Sequence, residues 1–280
     1  DLAVDFCCYR QKLFHADTPT TLDLTLVKHL TVARDLQRRR ARERTGLFTA
    51  EGVRCVEELL ASNLTIRSTI VAPGLRETDR GAALESALRS AAANRGFSLD
   101  DASDTDLAGA AGTDTPQGVI VIAQQPERSF EGLPEPNLIL VLDGLQDPGN
   151  VGTILRTAEA FGVAATVALP GTVELFNPKV VRSAMGALFT QAAFHATTED
   201  TLRFLRDRRI AIWAASAAGE PLGAPSGGGR VAIVVGNEGN GVSGELSSAA
   251  SRTVAIPIRG VESLNVAVAT GILLYAVTRA

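Results

Sequence analysis

The chain has 280 residues, 45% apolar and 21% charged, with a formal net charge of −4. That apolar share supplies a core and excludes a disordered chain, while the mildly acidic balance speaks against a general polyanion binder. Cys7, Cys8 and Cys55 are odd in number and irregularly spaced, and His15, His29 and His195 lie far apart, so neither a disulfide framework nor a metal site is expected and a reducing cytoplasm is the default.

In chain order, the opening DLAVDFCCYRQ lacks a basic start followed by an apolar core, so no signal peptide is expected. Residues 1–24 fit no pattern and are expected to be an extension or a disordered segment. LTLVKHLTVARDLQRRRARE follows as a helix. It carries Arg34, Arg38, Arg39, Arg40, Arg42 and Arg44 against Asp35 and Glu43. A guanidinium fork suits phosphate, although a solvated helix face accounts for the same run. Glu51–Leu60 predicts an amphipathic helix with Val53, Val56, Leu59 and Leu60 on one side. Thr65–Pro73 predicts a strand, Ala82–Ala93 a helix and Val119–Gln124 a second strand. Residues 25–125 therefore form a small α/β domain. Three prolines between Gln124 and Asn137 mark a linker over residues 126–136.

Over residues 137–280 strands and helices alternate. NLILVLDGL, AATVALP, IAIWAAS, RVAIVVGNEG and RTVAIPI predict strands. DPGNVGTILRTAEAFGV, NPKVVRSAMGALF and LNVAVATGILLYAVTR predict helices. Apolar strands set between helices indicate a parallel sheet covered on both faces, whose ligands sit at the carboxyl ends of its strands. Three loops with unusual residues fall there. In the first, Asp147, Pro148 and Gly149 turn the chain, Asn150 is placed to cap a helix, and Arg156 follows inside its first two turns. In the second, Gly236, Gly239 and Gly241 surround the lone carboxylate Glu238, without the spacing of a dinucleotide or P-loop motif. In the third, Pro257 and Gly260 shape the exit from a strand. Ser263 is expected to cap a buried helix with Asn265 in its first turn.

DPGNVGTILRTAEAFG, NPKVVRSAMGALF, VVGNEGNGV and IPIRGVESLNVAVATGI, in that order and spacing, resemble the SpoU branch of the SPOUT superfamily of RNA ribose 2′-O-methyltransferases. RERTGLFTAEGVRCVEELL resembles, more loosely, the RNA-binding domain that often precedes it, of ribosomal-protein type. The resemblance implies an α/β fold with a deep trefoil knot, S-adenosylmethionine as cofactor and a homodimer with the active site near its interface. It implies that Val235, Gly236, Ile256 and Leu264, with Ser263 and Asn265, hold the cofactor. It places Asn150, Arg156, Glu238, Ser263 and Asn265 at the reaction centre. RNA contact is expected through Arg34, Arg38, Arg39, Arg42 and Arg44. Ribosomal RNA is favoured because family members acting on transfer RNA often lack the first domain. The alternatives are a transfer RNA methyltransferase and a catalytically silent RNA-binding protein of the same fold. A nucleotide-dependent oxidoreductase fits the alternation but lacks the glycine fingerprint.

Overall fold

A computed structural model describes residues 21–222 and 230–278. Cys7, Cys8, His15 and the expected extension through residue 20 lie outside the described residues. Residues 21–24 belong to the first helix instead.

The first lobe runs α1 (Thr21–Asp35), α2 (Arg39–Thr45), β1 (Leu47–Glu51), α3 (Val53–Ala61), β2 (Ile66–Val71), a 3-10 turn (Pro73–Glu77), α4 (Asp79–Arg95), β3 (Ser98–Asp101), α5 (Asp104–Ala108) and β4 (Val119–Gln124). The arginine-rich stretch is thus two helices. Leu36 is buried at the break, and the second helix ends on Gly46, whose left-handed φ of 64° a side chain would resist. The strands pair in the order β1-β4-β2-β3, antiparallel except β2 with β3. Alternate residues of β4 serve opposite faces: Ile120 and Ile122 pack under α1 and α5, whereas Val119, Val121 and Ala123 join the larger core.

The second lobe contains β5 (Leu138–Asp143), α6 (Pro148–Ala160), β6 (Ala165–Ala168), α7 (Pro178–Ala184), α8 (Ala187–Thr190), β7 (Ala193–His195), α9 (Thr198–Asp207), β8 (Ala211–Pro221), β9 (Val231–Gly236), α10 (Gly244–Ala249), β10 (Arg252–Ala255) and α11 (Val266–Thr278). The predicted helix NPKVVRSAMGALF is broken: Met185 turns left-handed at φ 51° and Gly186 follows at φ 96°. All pairings in the sheet are parallel, in the order β10-β8-β9-β5-β6-β7. Both of its faces are covered. Leu138, Leu140 and Leu142 of β5 meet Val151, Ile154 and Leu155 of α6 on one side. Ile139 and Val141 meet Leu205 of α9 and Leu246 of α10 on the other. Each fully buried aliphatic side chain contributes about 1.5–3 kcal/mol.

One core cluster runs through both lobes. Phe48 and Cys55 of the first pack with Phe176, Val181 and Phe189 of the second. The Phe48 ring lies 4.8 Å from Phe176 and 5.8 Å from Phe189. Burial pushes the Cys55 thiol up to about 12, so it is a packed, unreactive group.

α11 corrects an expectation. Leu273 and Leu274 are buried, but Val268, Ile272 and Tyr275 are 53%, 41% and 48% exposed, so the helix is covered on one side only.

Candidate active site

The carboxyl ends of β8, β9 and β10 open into a cavity of about 630 Å³, within the usual range for a small-molecule site. Its floor is apolar, with Ala214, Val235, Val254, Ala269 and Leu273. Its rim is polar, with Ser216, Asn237, Glu238, Ser263 and Asn265. Every residue expected to hold a cofactor lines it: Val235, Gly236, Ile256, Ser263, Leu264 and Asn265.

The rim is built by local rules. Asn237 closes a tight turn with Gly241, exchanging backbone bonds of 3.0 and 2.9 Å. Its side-chain oxygen accepts from the amides of Gly239 and Asn240. The turn doubles back so closely that a Cβ on Gly236 would stand 2.1 Å from the carbonyl carbon of Gly241, which only glycine permits. The amide of Ser243 then donates to Asp143 at the end of β5, 2.7 Å away. On β8, Ala214 pairs with Thr253, yet the next residue of β10, Val254, pairs with Glu220. The intervening residues bulge out, and Ala215, Ser216 and Ala217 line the cavity. Sequence reasoning missed this wall. Small residues in an apparent strand were its one signal.

Two caps differ from expectation. Asp147, not Asn150, caps α6: its carboxylate accepts from the Asn150 amide at 2.7 Å. Asn265, not Ser263, receives the free amides of α11, from Ala267 at 2.9 Å and Val268 at 3.3 Å.

Relieved of capping, Asn150 joins the three loops. Its side-chain oxygen accepts from Asn265 Nδ2 at 2.9 Å, and its Nδ2 donates to Glu238 Oε1 at 3.1 Å. Both ends of its amide are committed, so its orientation is fixed. Residues 88 and 115 positions away in sequence thereby meet on one side chain. Asn150 and Arg156 themselves do not line the cavity. Arg156 projects from the exposed side of α6 and, among the described residues, has no hydrogen-bond or ion-pair partner. Glu238 is the only titratable side chain among the cavity's described lining residues.

The arginines sort themselves by exposure. Arg38, Arg39, Arg40 and Arg44 face solvent from α2 and the residues just before it; Arg39 pairs with Glu43 at 2.7 Å, which raises its pKa. Arg34, also exposed, donates to the carbonyl of Gly109. Arg42 must be removed from the expected RNA contacts: it is 2% exposed and paired with Glu174, so no phosphate can reach it.

A model described as the SpoU rRNA Methylase family matches residues 137–275, and one described as the MRM3-like substrate binding domain matches residues 27–121. A 23S rRNA (guanosine(2553)-2′-O)-methyltransferase, RlmP of Bacillus subtilis, is 32% identical over 86% of this chain and 92% of its own. The chain belongs to the SpoU rRNA methylase family. A second relative, the 23S rRNA (guanosine-2′-O-)-methyltransferase RlmB of Ralstonia nicotianae, is 36% identical over 68% of this chain and 80% of its own. Among solved structures, an AdoMet-bound rRNA methyltransferase from Sinorhizobium meliloti superposes with a TM-score of 0.77 at 28% identity, covering 90% of this chain and 94% of that one. The cavity suits such a donor. It has apolar walls for an adenine and a polar rim.

Proposed function

We propose that this chain transfers a methyl group from S-adenosylmethionine to a ribose 2′-hydroxyl of ribosomal RNA. The observation that carries the reading is the Asn265–Asn150–Glu238 chain of hydrogen bonds, which ties three loops together beside the cavity of a SpoU-family protein. When bound, S-adenosylmethionine supplies a methyl group already activated on a sulfonium. Val235, Gly236, Ile256 and Leu264, with Ser263 and Asn265, would hold it, since all six line the cavity.

The acceptor hydroxyl is a poor nucleophile, and the protein's task is alignment and stabilisation of charge. Alignment alone is worth as much as about 7–11 kcal/mol in favourable cases. Asn150, locked by its two partners, orients the sugar, and Glu238 holds Asn150. Arg156 carries a guanidinium, which is a donor only, so it serves as a positive fork for the developing alkoxide and a neighbouring phosphate rather than as a base. A donor held against developing charge is worth about 3–4 kcal/mol. The hydroxyl proton leaves to an RNA phosphate or to water.

Residues 25–125 bind RNA and residues 137–280 carry out methyl transfer, joined by 126–136. The exposed arginines Arg34, Arg38, Arg39 and Arg44 supply the phosphate contacts. The loops around Gly236–Ser243 and Ile256–Asn265 form a trefoil knot. The bond from Ser243 to Asp143 and that from Asn265 to Asn150 support this, since they fasten late segments onto the end of β5 and the start of α6. Such knots are rare and cannot be read from periodicity. The chain acts as a homodimer in the cytoplasm. Support for the dimer comes from the exposed Val268, Ile272 and Tyr275, spaced to share one face of α11 beside α6. Among the described residues, no helix is long and apolar enough to cross a membrane.

The test is transfer of labelled methyl to an unmethylated 23S rRNA transcript, with ribose methylation mapped by nucleotide. Arg156→Lys is expected to bind cofactor as the parent does and to lose about 10²-fold in turnover. Parental turnover in Arg156→Lys would refute the fork. Label on transfer RNA alone, or no label on any RNA, would favour the alternative substrates or a silent RNA-binding role.

A further inference from the structure

Arg42 sits in a helix whose other arginines face water, yet it is buried with all its guanidinium nitrogens engaged. Nε donates to both oxygens of Glu174 at 3.0 Å, Nη2 to the same carboxylate, and Nη1 to the carbonyl of Leu36 at 2.6 Å. A buried ion pair contributes little net stability compared with apolar side chains of similar volume, so stability alone does not account for it. What it does supply is geometry: a bidentate fork fixes distance and angle together.

Glu174 stands in the loop after β6, at the carboxyl end of the sheet that also carries the cavity, and its neighbours lead there. The Val173 amide donates to the carbonyl of Leu145 at 2.8 Å. Thr172 donates to the carbonyl of Leu142 at 2.9 Å and accepts from the amide of Gly144 at 3.1 Å. The carbonyl of Gly144 accepts from Asn237 Nδ2 at 2.8 Å, and Asn237 lines the cavity. β6 and β9 are separated by β5 alone, so this path crosses about 10 Å of sheet.

We propose that the Arg42–Glu174 pair is a positioning device. It sets the register of the arginine helix α2 against the methyl-transfer cavity and thereby selects which ribose of a bound RNA enters it. This rests on the reading of α2 as the element that grips RNA. A displacement of about 1 Å at a reacting centre can cost about 10²-fold in rate, so a helix that holds RNA correctly but sits slightly askew would bind and fail to react.

The probe is an unmethylated transcript of bacterial 23S rRNA. Arg42→Met with Glu174→Leu replaces the fork by an apolar pair that can stay packed. It is expected to bind transcript and S-adenosylmethionine within about threefold of the parent. Its single-turnover methylation is expected to fall about tenfold or more, with label spreading to flanking riboses. Arg42→Lys keeps the charge without the fork and is expected to show the same separation of rate from affinity, should the double exchange fail to fold. A folded variant that methylates the parent's single ribose at the parent's rate overturns the proposal. A separate arm, Arg39→Ala with Arg44→Ala, tests the underlying reading. Weaker RNA binding with a shallower salt dependence keeps α2 as the grip, and unchanged binding removes it whatever happens at Arg42.

Discussion

Asn265 caps α11 with its side-chain oxygen and steers Asn150 with its nitrogen. The two roles separate by substitution. Asn265→Asp keeps the acceptor for the helix amides but turns a second oxygen toward Asn150. It is expected to melt near the parent's Tm while methyl transfer falls by about 10²-fold, as for loss of a preorganised donor. Asn265→Ala removes the cap as well and is expected to lower stability by about 1 kcal/mol. Thermal melting alongside a methyl-transfer assay distinguishes them, and equal activity in parent and Asp variant would leave the Asn150 bond without a role. The residue types at this site were legible in the sequence because glycine, asparagine and serine cluster after strands. Their exchange of capping roles was not: Asp147 and Asn150, or Ser263 and Asn265, are equally good caps by chemistry, and backbone geometry chooses between them. Arg42 was misread for a related reason. Nothing local distinguishes it from Arg38 or Arg44, and its partner lies 132 residues away.

Among elements, α4 shows how the first lobe is held. Glu85, buried on this helix, receives Arg76 from the preceding turn at 2.6 Å and Arg89 from one helical turn on at 2.7 Å. Chiefly through Arg76, its carboxyl is held down at about 2 from an ordinary 4.5. The folded value lies below the unfolded one, so this stabilisation is full above the ordinary value and fades as pH falls toward 2. Glu85→Gln is therefore expected to be less stable than the parent near neutrality, with the gap narrowing in acid. Denaturant titrations at several pH values check this, and a gap independent of pH would rule out the charge as its cause. Long apolar or amphipathic elements, such as β4, β5 and α6, stood out by period. β3 and β7, of four and three residues, did not, because so few residues carry no period. The β8 bulge was hidden because alanine and serine suit strand and bulge alike.

At the scale of the whole molecule, the half-covered α11 makes association the expected state. Ile272→Glu places a charge in the centre of the exposed apolar face. It is expected to sediment as a monomer with unchanged circular dichroism, and a variant that remains dimeric moves the interface elsewhere. The parallel order of the second sheet was foreseeable in kind from helix–strand alternation. The union of the two lobes was not, since it depends on Phe48 meeting Phe176 and Phe189 across a stretch that reads as a linker. That union bears on birth at the ribosome. The first four strands are complete by Gln124, and α3 and α4 lay Val56, Leu59, Leu84 and Leu88 into the cluster with Phe48 and Val121, but its cover is finished only when Phe176, Val181 and Phe189 emerge. Until the 52 to 65 residues after Gln124 have been translated, the nascent polypeptide leaves part of that greasy surface uncovered. Chaperone capture should therefore peak in that window, and the first lobe expressed by itself should tend to precipitate.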